Sequence, residues 1–192
     1  MKHNPEAKKK RVAEVARQLF VDKGFYAVTI PDIVTESGVS TGTIYKYFGS
    51  KSALAERLYE DSAREFNLLL AERLQNKKGA YERAKVIVEL LLDLAEYDST
   101  LVEYLFLSRH QGFKNKYNPA LGCSSNCILC QIFNEGITQG ELCVGDPLAK
   151  AVSFMGVVLK NIEMRLKGIF LQTFEEDYRQ AVVKRAWDAA YR

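Results

Sequence analysis

A chain of 192 residues with 47% hydrophobic and 27% charged side chains can bury a sizeable core beneath an ordinary solvated surface, which argues against a disordered or collagen-like polymer. No apolar run reaches the length of a membrane span, and no apolar leader with a small-residue cleavage site follows the basic N-terminus, so a cytoplasmic chain without a membrane partner is expected. The net charge of +3 is mild, but residues 1–51 hold nine Lys or Arg against five Asp or Glu, while the remainder holds 18 against 19. An excess confined to the first quarter fits a head that meets a polyanion; a solvated basic terminus would give the same imbalance.

Helical periodicity runs through the whole sequence, and no strand pattern competes with it. The first helix is expected over 6–23, with Val12, Val15, Ala16, Leu19 and Phe20 on one face and Gly24 ending it. Lys8, Lys9, Lys10 and Arg11 lie near its start, where positive charge opposes the helix dipole, a conflict relieved by a nearby phosphate or by solvation. A short second helix follows, with Thr29 as N-cap, Asp32 completing an imperfect capping box and Pro31 in the first turn. Gly38 supplies a tight turn, and Ser40 is expected to cap a third helix over 41–48. Ile44 and Phe48, four apart, point inward together. Gly49 ends that helix, and Ser50 caps a long fourth one over 51–75.

Further helices are expected at 80–96, 99–110, 119–139, 146–168 and 174–190, with Asp146-Pro147 opening one and Thr173 with Glu176 capping the last. The segment 111–118 reads as the most flexible loop. The fold class is therefore all-α, with about nine helices: a three-helix head over 1–50 joined by a long helix to a helical body over 51–192.

Two short helices around a glycine turn, within the twenty residues 29–48, form a helix-turn-helix pattern. Its second helix would enter the major groove and present base-reading side chains. The exposed positions Thr41, Gly42, Thr43, Tyr45, Lys46 and Tyr47 are small, hydroxylated, basic or aromatic, as such a role needs. Gly42 weakens its helix by about 1 kcal/mol relative to Ala, which suits close approach to another molecule better than a core.

The run Thr29-Ile30-Pro31-Asp32-Ile33-Val34, then Ser37-Gly38-Val39-Ser40-Thr41-Gly42-Thr43-Ile44-Tyr45-Lys46-Tyr47-Phe48-Gly49-Ser50-Lys51-Ser52-Ala53-Leu54, closely resembles the DNA-binding signature of TetR/AcrR-type regulators. The likeness covers roughly residues 8 to 54, with a looser echo in Gln139-Gly140-Glu141-Leu142 and Asp146-Pro147. The resemblance implies phosphate contacts from Thr29, Lys51 and Tyr47, which stands where many relatives carry His. It implies base or backbone contacts from Thr41, Gly42, Thr43, Tyr45 and Lys46, and Ser40 at the start of the same helix is also counted in the DNA-binding set. Pro31 departs from the pattern, since relatives often place a helix former there. The implied function is a sequence-specific transcriptional regulator, a repressor released from a palindromic operator by a small-molecule effector.

Helix-turn-helix regulators usually act as dimers. The last two helices carry more apolar positions than one stripe requires, so Phe154, Val158, Ile162, Tyr178, Val182 and Trp187 are expected to meet a second copy, as the resemblance also implies for this helix pair; intramolecular packing is the other reading. Phe66, Leu70, Leu94, Tyr104, Leu107, His110 and Cys127 are expected around an effector pocket, although core packing explains each of them individually.

Cys123, Cys127 and Cys130 share the spacing of the cluster loop of radical SAM enzymes, but the alternating strands and helices of that class are missing. On a helix these spacings put all three thiols on one face, either as small core hydrophobes or as a thiol or soft-metal sensor, the alternative function. No metal site, cofactor or catalytic residue is assigned. With two His, no phosphate loop and no nucleophile signature, an enzyme is not expected.

Overall fold

The computed structural model of the chain describes residues 5–108, 127–170 and 174–191. Among these residues there are nine α-helices, one π-helical turn and no strand. They fall into two compact units, the first drawn from Met1–Ser62 and Glu103–Lys116, the second from Ala63–Val102 and Tyr117–Arg192.

The first unit contains α1 (Pro5–Lys23), α2 (Ile30–Ser37), α3 (Thr41–Phe48) and the start of α4 (Lys51–Leu74). The expected ends hold because each has a local cause. Gly24 adopts φ 79° and its N–H closes on the Phe20 carbonyl at 3.1 Å, while the Phe20 and Phe25 rings pack 5.6 Å apart across that end. Ser50 accepts the Ala53 N–H at 3.0 Å and so starts α4. Val12, Ala16, Phe20, Ile33, Ile44 and Leu54 are all but fully buried in one cluster, each worth about 1.5–3 kcal/mol of burial where the side chain is large.

Tyr104 is the unexpected member of that cluster. The helix anticipated over 99–110 is α-helical only from Ser99 to Val102 (α6) and then widens into a π-helical turn, Glu103–Leu107. The Ser108 N–H reaches the Glu103 carbonyl five residues back at 2.7 Å. Tyr104 on this turn lies flat to Phe20, ring centres 6.5 Å apart, and its hydroxyl donates to the Ala55 carbonyl at 2.9 Å. Burial pushes its phenol well above the ordinary tyrosine value.

The second unit is built around α5 (Ala80–Tyr97), which buries residues on most of its circumference, including Val86, Ile87, Val88, Leu90, Leu91 and Leu92. A helix apolar all round must be surrounded, and α7 (Ile128–Thr138), α8 (Pro147–Leu166) and α9 (Glu176–Tyr191) pack against it. Phe133 meets Phe154 and Trp187 edge-on, at 5.5 and 6.2 Å between ring centres. Polar groups fix the helix ends. Glu141 accepts the Ala80 N–H at 2.7 Å, and the buried Lys150 donates to the Ala190 carbonyl at 2.8 Å. Arg179 binds Asp93 at 2.6 Å and Glu96 at 2.7 Å, and Asp93 also holds Arg73 at 2.5 Å. Asp146 caps α8 as expected, through the Leu148 N–H at 2.9 Å. The anticipated Thr173 cap and the 111–118 loop lie outside the described residues.

Candidate nucleic-acid interface

The helix-turn-helix is positioned by backbone chemistry that the sequence carries openly. Thr29, extended at φ −112° and ψ 163°, accepts the Asp32 N–H on its hydroxyl, and its own N–H donates to the Asp32 carboxylate at 2.7 Å. The capping box is therefore complete, although Asp stands where Glu is usual. The Thr29 hydroxyl and backbone N–H hold the Asp32 carboxyl below the usual carboxylate range. Gly38, at φ 68°, returns its N–H to the Val34 carbonyl at 2.9 Å and turns the chain into α3.

Ser40 does not cap α3 through its side chain. Its hydroxyl pairs instead with that of Thr43 at 2.9 Å, leaving the Ser40 main-chain carbonyl to accept the Thr43 and Ile44 N–H groups. A second hydroxyl three residues on competes for the capping atom.

Within α3, Ile44 is 1% exposed and anchors the helix to the core, whereas Ser40, Thr41, Gly42, Tyr45 and Lys46 face outward. Thr43 and Tyr47 are half-buried at the edges of that face. A Cβ added at Gly42 would meet nothing within 4 Å, so packing inside the chain does not require glycine there. Tyr45 is 48% exposed, a large aromatic ring left on the surface beside it.

Two of the expected phosphate ligands have internal partners. The Thr29 hydroxyl donates to Asp32 at 2.7 Å. Lys51 donates from Nζ to the Phe25 and Val28 carbonyls, both at 2.8 Å, and stands 4.3 Å from the centre of the Phe25 ring. It satisfies two main-chain carbonyls within the α1–α2 connection and packs its ammonium on the Phe25 ring.

Tyr47 borders an open groove of about 330 Å³ whose lining includes Lys9, Lys10, Phe48, Arg57 and Asp61. Lys9 lies 5.4 Å from the centre of the Tyr47 ring and pairs with Glu6 at 2.8 Å. The opposition of these lysines to the α1 dipole is the sequence signal that marks them; Arg57 had none.

The body residues named from sequence part company. Phe66 and Leu70 are fully buried on α4, Leu94 is half-buried on α5, and Cys127 is 1% exposed at the start of α7. Tyr104 and Leu107 belong to the first unit, with Tyr104 in its core, whereas Phe66, Leu70, Leu94 and Cys127 belong to the second. His110 and Cys123 lie outside the described residues. Among the described residues no group of three or more His, Cys, Asp and Glu stands ready for a metal. Cys127 is the N-cap of α7 rather than part of a helical face, so it does not continue a stripe with Cys130.

Phe154, Val158, Ile162 and Val182 are buried within the single chain, at 0–1% exposure. Tyr178 donates its hydroxyl to Asn161 at 2.7 Å, and Trp187 packs on Tyr81 and Phe133. The apolar stripes of α8 and α9 face each other and α5, while Tyr178 and Trp187 stay half-buried. The outward face of α8 carries Val152, Ser153, Gly156 and Lys160.

Residues 12–58 match the family model described as bacterial regulatory proteins, tetR family. The chain is 27% identical over 162 residues to an uncharacterized HTH-type transcriptional regulator of Bacillus subtilis, YfiR, covering 80% of this chain and 77% of that protein. It is 26% identical over 135 residues to the fatty acid metabolism regulator protein of the same organism, covering 69% of each. The transcriptional regulator FadR of Bacillus subtilis, solved with stearoyl-CoA, superposes with a TM-score of 0.73 at 19% identity, over 92% of this chain and 96% of that one. AibR, solved with isovaleryl coenzyme A and operator DNA, gives 0.69 at 15% identity over 92% and 94%. The helix-turn-helix segment thus matches the tetR family model, and the helical body shares the fold of solved regulators of that family.

Proposed function

We propose that the chain is a repressor that binds a two-fold operator as a homodimer and is released by an acyl-coenzyme A thioester. The observation that carries the effector class is the likeness, along two thirds of both chains, to a regulator of fatty acid metabolism. The fold shared with FadR supports it. The relatives are regulators, so the chain acts by binding rather than by catalysis, in the cytoplasm where its DNA is.

In this reading the head spans residues 1–50 and the body 51–192. Thr41, Gly42, Thr43, Tyr45 and Lys46 meet base edges and adjoining backbone, while Ser40 and Tyr47 contact phosphates from the two ends of α3. Thr29 and Lys51 contribute by holding α2 and the α1–α2 connection in place, and through phosphate where a donor remains. A second copy would meet the outward face of α8, where Val152 is 53% exposed and Gly156 leaves room for close approach. Phe66, Leu70, Leu94 and Cys127 are the body residues that would contact the effector. An effector acts by preferring the conformer that fits DNA poorly; a difference of about 1–3 kcal/mol gives 5–150-fold release.

Genomic fragments captured by the purified chain supply the operator, and stearoyl-CoA, isovaleryl-CoA and free coenzyme A are then added to the complex. Release by an acyl thioester but not by free coenzyme A is expected. DNA binding unaffected by either thioester would remove the effector class, and failure to capture any fragment would remove the operator.

A further inference from the structure

The regulatory function leaves two buried thiols unexplained as a pair. Cys127 occupies the N-cap of α7 with φ −70° and ψ 151°, so it stands outside the helix. Its thiol lies 2.9 Å from the Cys130 sulfur, toward which it donates, and accepts the Cys130 N–H at 3.3 Å. Both residues are buried, at 1% and 2% exposure. Two residues three apart inside a helix keep their Cβ atoms about 5–6 Å apart. A disulfide needs about 3.5–4.5 Å, so the helix interior works against one. The extended N-cap residue lifts that restriction. From 2.9 Å, a sulfur–sulfur bond of about 2.0 Å requires less than about 1 Å of closure. Packing as small hydrophobes accounts for the burial of two thiols, but it does not require their sulfurs to meet.

We propose that Cys127 and Cys130 are a reversible modification site, a dithiol that closes to an intramolecular disulfide by exchange with a small-molecule disulfide. Opening of the first turn of α7 exposes the Cys127 sulfur. Its thiol gives up a proton, and the thiolate attacks one sulfur of the small disulfide, forming a mixed disulfide and releasing one thiolate that takes up that proton. The Cys130 thiol then loses its proton and attacks the Cys127 sulfur, expelling the second small thiol. Two protein thiols are oxidised and one small disulfide is reduced to two thiols. In a reducing compartment such a bond is transient, which suits a modification rather than a structural staple. The proposal does not rest on the effector class.

The test uses the full chain carrying Cys123→Ser and Cys143→Ser, which leaves Cys127 and Cys130 as its thiols. The reduced, helical protein is incubated with oxidised glutathione, unfolded in the presence of iodoacetamide, and read by intact mass and fragmentation. The expected product has lost two hydrogens, resists alkylation and returns to the dithiol with dithiothreitol. Adding Cys130→Ser should convert it into a lasting glutathione adduct on Cys127. Full alkylation of both residues, or separate glutathione adducts on both without an internal bond, would overturn the proposal. So would an oxidised wild-type chain that links either residue to Cys123 or Cys143.

Discussion

Lys51 donates to the carbonyl of Phe25 at 2.8 Å while its ammonium sits 4.3 Å from the centre of the same residue's ring. One side chain thus gathers the charge-assisted hydrogen bond, the cation–π contact and a second carbonyl, that of Val28. Two of its three donors are turned into the fold, so Lys51 stabilises the head whatever it does for DNA.

Lys51→Ala is therefore expected to lower the stability of the chain by about 1–3 kcal/mol, read as a drop in the denaturant midpoint. A phosphate ligand behaves differently. An unchanged midpoint, with the salt dependence of DNA binding reduced by about one ion, would return Lys51 to the phosphate role.

Tyr104 offers a test at alkaline pH. Burial, the largest cause, raises its phenol above the unfolded value, so the folded chain keeps a proton that the unfolded chain gives up. Its contribution is complete below about pH 10, the unfolded value, and is lost as pH climbs toward the folded value. The stability of the wild-type chain should accordingly fall more steeply above about pH 10 than that of Tyr104→Phe. At neutral pH the Phe variant should cost about 1 kcal/mol, the worth of the hydrogen bond to Ala55. Parallel pH profiles would place the Tyr104 ring outside the core.

Gly42 separates folding from binding. The site is open to a methyl group and its φ is not in the left-handed region, so Gly42→Ala should stabilise α3 by about 1 kcal/mol. If α3 lies against DNA, the same methyl group should weaken DNA binding severalfold. A variant with a higher melting temperature and undiminished affinity would show that Gly42 does not face the duplex.

Much of the head was legible because its signals are local. Gly24, Gly38 and Gly49 stop helices, Thr29 and Ser50 start them, and Ile44 marks the inward side of α3. What was not legible depends on partners that no local pattern names. Ser40 was expected to cap through its hydroxyl, but Thr43 takes that atom. The change from α6 to a π-helical turn has no periodic signature, and it carries Tyr104 into the core of the first unit. Apolar stripes on α8 and α9 say that Phe154 and Val182 are buried, yet not whether the covering surface belongs to the same chain. The internal partners of Lys51 had no local signal, because the carbonyls it serves lie more than twenty residues earlier in the chain.

The central claim is that the outward face of α3 reads DNA, and Tyr45 tests it most directly. The ring is 48% exposed and lies beside Gly42 on the outward face, so Tyr45→Ala should leave the melting temperature nearly unchanged. Fluorescence anisotropy at fixed salt, with a fragment selected by the wild-type chain, measures the affinity of both proteins. A loss of about tenfold or more, about 1.4 kcal/mol, is the predicted result. Equal affinity in two equally stable proteins would contradict the account.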